Sequence, residues 1–193
     1  MKKITAGIDE VGRGPLAGPV IAACVHIPDQ SYAWLSEVTD SKKLTKKKRE
    51  YLAPLIQQHC VWSIAELSPQ VIDDINILQA TMRAMEQCAN DLSIKPDFIY
   101  VDGNRIPPAL PCDAEAVVKG DSKIKEIGCA SIIAKVYRDK IMEQLGNEFP
   151  EYGWDTNSGY GSKKHIDAIQ KYGVTTHHRM SFAPIKYMIS DVA

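Results

Sequence analysis

Four acidic side chains follow apolar segments of the chain at similar positions. Asp9 and Glu10 come directly after the first such segment, Asp102 comes directly after a later one, and Asp121 follows shortly after the next. Any single acid here is typical of a solvated loop, but four at corresponding positions favour a shared edge of one sheet. Carboxylate oxygens are ligands that Mg²⁺ and Mn²⁺ prefer. Two such ions about 4 Å apart activate water and stabilise a leaving oxygen. We therefore predict a two-ion site, formed with substrate, in which these four acids are both metal ligands and catalytic residues.

Asp139 competes with Asp121 for the fourth place, because it lies in the distinctive segment Val136-Tyr137-Arg138-Asp139. A continuous helix between the two acids would separate them by about 27 Å, too far to share a metal pair. We choose Asp121, which can face a helix N-terminus, and predict an ion pair within its own helix for Asp139.

A second group of residues could approach a nucleic-acid backbone. Gly12 and Gly14 lack a Cβ atom, so the chain around Arg13 can come close to a sugar or phosphate; taken alone, the G-x-G spacing favours a simple hairpin turn. Tyr160 stands between two glycines. Taken alone, it is typical of an ordinary loop aromatic.

Basic residues are clustered although the formal net charge is only −1. Each block alone is typical of solvated surface, but three blocks near candidate site segments favour phosphate binding. Scattered histidines without cysteine spacing do not indicate a metal site. The blocks are Lys42, Lys43 and Lys46–Arg49; Lys163, Lys164 and His165; and His177, His178 and Arg179.

The apolar pattern predicts the elements that must position these residues. Continuous apolar runs indicate strands, and spacings of three and four indicate helices. The order predicts an α/β fold with a mixed five-stranded sheet flanked by helices. The predicted strands are 4–8, 20–27, 61–67, 98–101 and 114–118. The predicted helices are 46–57, 75–92, 125–145 and 163–171. Thr45 is the predicted N-cap of the first helix, and Pro54 either kinks that helix or marks a late start.

Length and composition exclude several classes of protein. The 193 residues, 45% hydrophobic and 24% charged, predict one domain over 1–193 with a C-terminal helical segment at about 150–193. No apolar run predicts a membrane span or a signal peptide, so we expect a cytoplasmic protein. Five scattered cysteines without a C-x-x-C pair predict reduced, mostly buried thiols.

The motifs together resemble a known family. The segment Gly7-Ile8-Asp9-Glu10-Val11-Gly12-Arg13-Gly14-Pro15-Leu16-Ala17-Gly18-Pro19-Val20 is similar to the opening motif of ribonuclease HII, the type 2 ribonuclease H of bacteria. Later motifs of that family have similar counterparts, in the same order. They are Asp40-Ser41-Lys42-Lys43-Leu44, Val101-Asp102-Gly103-Asn104, Lys119-Gly120-Asp121, Ala130–Lys135 with Val136, Arg138 and Asp139, and Gly159-Tyr160-Gly161.

This resemblance implies a ribonuclease H-like fold and a metal-dependent endonuclease that acts in DNA replication and repair. It implies that Asp9, Glu10, Asp102 and Asp121 bind the metal. The substrates would be RNA–DNA hybrids and duplex DNA containing ribonucleotides, cut on the 5′ side of a single embedded ribonucleotide to leave 5′-phosphate and 3′-hydroxyl ends.

The resemblance also implies how substrate is bound. Gly12, Arg13 and Gly14 would sense the 2′-hydroxyl, the group that distinguishes RNA from DNA. Tyr160 would pack on the sugar beside the cleaved bond, and Ser41, Lys42 and Lys43 would contact the phosphate backbone. Lys46–Arg49 would form an exposed helix face. We expect a monomer without membrane partners.

Two segments depart from the family pattern. Ile124–Cys129 carries charge and a glycine where the family has small residues, and Val174–Arg179 fits the C-terminal motif loosely. These departures affect the helix boundary after Asp121 and the C-terminal contacts.

Two other functions fit the residues less well. A hybrid-binding protein without catalysis would repel phosphate with its four acids. A nucleotide-dependent enzyme is disfavoured because the glycine loop has neither G-x-G-x-x-G nor P-loop spacing, and it joins two strands.

Overall fold

A computed structural model describes residues 3–190 of the chain. Its five strands are β1 Thr5–Val11, β2 Val20–His26, β3 Val61–Leu67, β4 Phe98–Asp102 and β5 Ala114–Val117. They form one sheet in the order β3-β2-β1-β4-β5. β1 pairs antiparallel with β2 and parallel with β4, and β4 pairs parallel with β5. The predicted mixed five-stranded sheet is confirmed.

Helices join and follow these strands. They are α1 Lys46–His59, α2 Pro69–Asn90, α3 Lys125–Glu148, α4 Trp154–Asn157, α5 Lys163–Tyr172 and α6 Ile185–Ser190. The Thr45 side chain accepts a hydrogen bond from the Lys48 N–H, as predicted for an N-cap. α1 begins at Lys46 and contains Pro54, which excludes the late start considered from sequence.

α2 begins before the helix that the apolar spacing predicted at 75–92, and it is interrupted close to that predicted start. Asn76 has φ 65° and ψ 163°, which breaks the helix. Its Oδ1 accepts hydrogen bonds from the N–H groups of Leu78 (3.0 Å) and Gln79 (3.1 Å), so Asn76 caps the helical turn that follows. The predicted helix began at Ile75, so it matched the part of α2 after this break and omitted the part before it.

Close backbone packing explains why β1 contains a glycine. A Cβ atom on Gly7 would lie 2.3 Å from the Ile127 nitrogen of α3. α3 therefore packs directly against β1 at this point, and no larger residue fits there. On the neighbouring strand β2, every residue except the last is buried.

The described residues divide into two compact units. The first unit is 3–11, 21–66 and 81–136, and the second is 12–20, 67–80 and 137–190. The second unit has its own apolar core, which includes Leu16, Met142, Trp154 and Ile169. A single domain with a helical extension at about 150–193 stays a prediction.

Two predictions from composition can be compared with the structure. No helix among residues 3–190 is long and apolar enough to cross a membrane. All five cysteines are free thiols, and four of them are buried. Burial raises the pKa of Cys24 to about 12, so this thiol stays protonated.

Candidate active site

The strand pairing of the first unit brings the predicted acids together. β1 and β4 run parallel with Ile8 opposite Val101, so the next residues along the two strands are Asp9 and Asp102. Glu10 follows Asp9 on β1. Acids 93 positions apart in the sequence therefore become neighbours at one sheet edge.

Asp9 is the most enclosed of these acids. It is 6% exposed, and its Oδ1 accepts a hydrogen bond from the Glu10 N–H at 2.7 Å. Burial and the adjacent Glu10 carboxylate, with a smaller contribution from Asp102, raise the pKa of Asp9 well above its usual range. The Ser131 hydroxyl opposes this shift by hydrogen bonding to the carboxylate. The structure thus concentrates negative charge at a position where it is costly.

Asp102 and Asp121 extend the row of acids. The Gly120 N–H donates a 2.7 Å hydrogen bond to Asp102 Oδ1, which holds the turn containing Asp121 beside β4. Partial burial, followed by the nearby charges of Asp102 and Asp40, raises the pKa of Asp121. α3 begins at Lys125, and Asp121 lies in the short 3₁₀ turn Gly120–Ser122 before it. We name the set of Asp9, Glu10, Asp102 and Asp121 the acid row.

The acid row matches a hard divalent cation in donor chemistry. Its donors are carboxylate oxygens, and their mutual repulsion favours a cation between them. Among the residues that the structure describes, no three His, Cys, Asp or Glu side chains already converge as a closed metal site.

The segment Ser41–Lys43 lies in the same unit, and its residues differ in exposure. Ser41 is 4% exposed, and its hydroxyl is bonded to Ser131 Oγ at 2.9 Å. Lys42 and Lys43 are exposed, and Lys43 Nζ donates to Ser122 Oγ at 3.1 Å, next to Asp121. Ser41 thus supports Ser131 beneath Asp9, while the two lysines remain accessible to a phosphate.

In the second unit, two buried arginines hold the glycine-rich loop 12–19. Arg138 donates to the carbonyls of Ala17 (3.0 Å) and Pro19 (2.9 Å) and also to that of Ser158 (3.0 Å). Burial lowers the pKa of its guanidinium to about 10. Arg138 therefore joins the glycine-rich loop to the loop that precedes Tyr160.

Arg179 fixes the other end of the same loop. It donates to the carbonyls of Gly12 (2.5 Å), Arg13 (2.9 Å) and Gly18 (2.8 and 3.0 Å). Burial, with repulsion from Arg138, lowers its pKa to about 9. The loop carbonyls are thus turned towards two guanidinium groups.

Positions 12 and 14 are both glycine, but for different structural reasons. Gly12 is buried with φ 92°, and a Cβ there would lie 2.3 Å from Arg138 Nε. Gly14 is exposed, and a Cβ there would only touch Tyr160 Cε1 at 3.4 Å. Gly12 is therefore required by internal packing, whereas Gly14 leaves open space beside the Tyr160 ring.

The third basic block is not a phosphate-binding surface. His178 and Arg179 are 1% and 0% exposed, and Arg179 bonds loop carbonyls instead. His165, in the second block, is also fully buried, while Lys163 and Lys164 are exposed. Runs of basic residues had indicated a solvated, phosphate-binding surface. In the structure, the side chains of His165, His178 and Arg179 are instead satisfied by hydrogen bonds inside the second unit.

Ser131 and Arg138 were not among the predicted site residues, and Arg179 was predicted only as part of a phosphate-binding block. The segment Val136-Tyr137-Arg138-Asp139 was distinctive, but its composition does not reveal that Arg138 is buried and bonded to loop carbonyls. Nothing in the spacing of Ser131 or Arg179 distinguishes them from surface residues.

Comparison with known proteins decides the family. The family model described as Ribonuclease HII matches residues 6–185. The chain belongs to the ribonuclease HII family. Ribonuclease HII of Neisseria meningitidis serogroup B is 49% identical over 194 residues, with 100% of this chain and 99% of that protein covered. Ribonuclease HII of Vibrio vulnificus is 50% identical over 182 residues, covering 94% of this chain and 86% of that protein.

Solved structures give the same fold. Ribonuclease H2 from Pyrococcus horikoshii has a TM-score of 0.82 at 29% identity, covering 97% of this chain and 98% of that one. Bst-RNase HIII in complex with Mn²⁺ has a TM-score of 0.74 at 19% identity, and the match covers 98% of this chain and 70% of that one. The ribonuclease H-like fold is confirmed.

Membership in the ribonuclease HII family establishes the reaction class. The chain is a ribonuclease H, an endonuclease that hydrolyses phosphodiester bonds of RNA in RNA–DNA hybrids. The predicted enzyme class is therefore confirmed.

Proposed function

We propose that this member of the ribonuclease HII family cuts duplex DNA on the 5′ side of a single embedded ribonucleotide, and also cuts RNA–DNA hybrids, leaving 5′-phosphate and 3′-hydroxyl ends. The observation that carries the proposal is the acid row, which the parallel pairing of β1 with β4 assembles from distant parts of the chain. Such cutting would place the enzyme in ribonucleotide excision from DNA.

The proposed reaction depends on divalent metal, Mg²⁺ or Mn²⁺. Asp9, Glu10, Asp102 and Asp121 would hold it, and bound metal would supply water activation and charge stabilisation at the leaving 3′-oxygen. Ser131 holds the Asp9 carboxylate, and the Gly120 N–H holds one oxygen of Asp102. These two hydrogen bonds fix the orientation of the two strand-end acids.

We propose that substrate is recognised by the residues that the family resemblance implies. Gly14 and Arg13 are exposed in the glycine-rich loop, and the Tyr160 ring is 53% exposed beside Gly14. An open backbone next to an aromatic ring suits a ribose sugar and its 2′-hydroxyl. Lys42 and Lys43 would contact phosphate, with Ser41 contributing through its backbone, because its hydroxyl is bonded internally.

The decisive experiment uses three duplexes that differ only in sugar content. One carries a single ribonucleotide, one is all DNA, and one is a uniform RNA–DNA hybrid. Each is incubated with the purified protein in Mg²⁺, in Mn²⁺ or in chelator, with Asp9→Asn as the matched control.

We expect cutting of the first and third duplexes with metal only, and end-labelling should show a 3′-hydroxyl and a 5′-phosphate. Cutting in chelator, or by Asp9→Asn, would contradict the metal mechanism. Tight binding of the hybrid without cutting would instead support a binding protein. We also propose that the protein is cytoplasmic and acts as a monomer. Sedimentation of the purified chain tests the monomeric state.

A further inference from the structure

Tyr160 has an exposed ring on an unusually well-anchored backbone. Its N–H donates to the Asn157 carbonyl at 2.9 Å. Its own carbonyl accepts two hydrogen bonds, one from the Ser162 N–H at 2.8 Å and one involving His165 Nδ1 at 2.9 Å. The ring therefore projects from a backbone whose donor and acceptor are both satisfied.

The hydrogen bonds around His165 determine where its proton lies. Trp154 Nε1 can only donate, and it donates to His165 Nε2 at 3.0 Å. The Nε2 atom is therefore an acceptor, and the proton of the neutral ring lies on Nδ1. His165 Nδ1–H is then the donor to the Tyr160 carbonyl.

A second imidazole reinforces this assignment. The Thr175 N–H donates to His178 Nδ1 at 2.9 Å, so the His178 proton lies on Nε2. That atom faces His165 Nε2 at 3.1 Å and donates to it. His178 thus fixes the same state of His165 as Trp154 does.

Burial keeps both imidazoles neutral. His165 and His178 are 0% and 1% exposed. The Tyr152 and Trp154 rings pack edge-on against both histidines. These ring contacts restrict rotation of both imidazoles, so the direction of the donor bond to Tyr160 is set by packing as well as by hydrogen bonding.

We propose that His165 is a positioning residue for ribonucleotide recognition: its Nδ1–H holds the Tyr160 carbonyl, and Trp154 and His178 hold His165 in the donor state. This inference rests on the proposed role of Tyr160 at the sugar beside the cleaved bond. His165 itself does not touch the substrate, because it is fully buried.

Two substitutions at His165 separate positioning from packing. In His165→Asn, the amide NH₂ occupies the region of Nδ1 and can still donate to the Tyr160 carbonyl. In His165→Gln, the amide oxygen occupies the region of Nε2 and can still accept from Trp154 and His178, but the bond to Tyr160 is lost.

The test measures kcat/KM at a single embedded ribonucleotide and on a uniform hybrid. We expect His165→Gln to lower the first value about tenfold, the effect of one buried hydrogen bond, and the second less than twofold. His165→Asn should retain most of the preference. In a Tyr160→Ala background, His165→Gln should have no further effect. Hydrogen exchange at the Ser162 amide should accelerate in His165→Gln more than in His165→Asn.

Other outcomes overturn the inference in distinguishable ways. Equal losses in both variants that follow their thermal stability would reduce His165 to a packing residue. An unchanged preference and unchanged exchange in His165→Gln would end the positioning role alone. If Tyr160→Ala itself keeps the full preference, the proposed recognition role of Tyr160 fails, and the role of His165 fails with it.

Discussion

The acid row in the first unit and the rings of His165 and His178 in the second unit bury polar groups in opposite ways. We call these two rings the imidazole cluster. In the acid row, like charges crowd together, and the pKa of Asp9 is raised by burial and by Glu10. In the imidazole cluster, every ring nitrogen has a partner of the complementary kind. The first arrangement is completed only by an added cation, whereas the second is complete without a ligand. On our proposals, the first is a site for metal chemistry and the second is a support that positions Tyr160.

Removing one acid should produce the largest effect. Asp102→Asn should lower the cleavage rate by about 10³-fold or more, because it removes a negative ligand from the proposed metal site. The melting temperature should not fall, since the substitution relieves repulsion from Asp9 and Asp121. Single-turnover cleavage and thermal unfolding measure the two quantities. A rate within tenfold of the parent would remove Asp102 from the catalytic set.

A matched pair of glycine substitutions tests how rigid the support in the second unit is. Gly12→Ala should destabilise the protein by about 3 kcal/mol, because its Cβ would meet Arg138 and its φ is 92°. Gly14→Ala should change stability by less than about 0.5 kcal/mol, as at other open surface positions. Urea unfolding provides the comparison. Equal losses in the two variants would show that the Arg138 contact does not restrict the loop.

The sequence predicted the acid row better than it predicted the support. Asp9, Glu10 and Asp102 could be placed because each follows an apolar strand, and parallel pairing carries strand ends to one edge. His178 and Arg179 were misread as surface because charge patterns do not reveal internal partners. The part of α2 before Asn76 was not predicted, because the regular apolar spacing begins only at Ile75.

Lowering the pH should weaken the imidazole cluster. Burial lowers the pKa of His178 to about 4 from its usual 6.5, so protons bind the unfolded chain more readily than the folded one between these values. Stability should therefore be full above pH 6.5 and should fall as the pH drops towards 4, by about 3 kcal/mol at most. Urea unfolding from pH 7 to pH 4 tests this. His178→Asn keeps an acceptor for the Thr175 N–H and should flatten the dependence of the unfolding free energy on pH. An unaltered dependence would show that other groups cause it.

The smallest effect is expected at the exposed lysines of the first unit. Lys43→Ala should raise KM for a hybrid about threefold and reduce the salt dependence of binding by about one phosphate contact. Lys47→Ala on α1 is the matched control. The Lys47 side chain is also exposed, but it was predicted to form part of a solvated helix face and not to contact phosphate. Binding measured over a range of salt concentrations decides between them. Identical slopes for both variants would exclude a phosphate contact by Lys43.

The parallel pairing of β1 with β4 also has a consequence for biosynthesis. Asp9 is made at the start of translation, but its neighbour Asp102 is made 93 residues later, and Ser131 later still. At about 5–20 residues per second, the N-terminal segment waits on the order of ten seconds for its strand partner. A nascent chain released before α3 is complete therefore carries the most recognisable motif of the protein and yet has no assembled centre with which to cut nucleic acid.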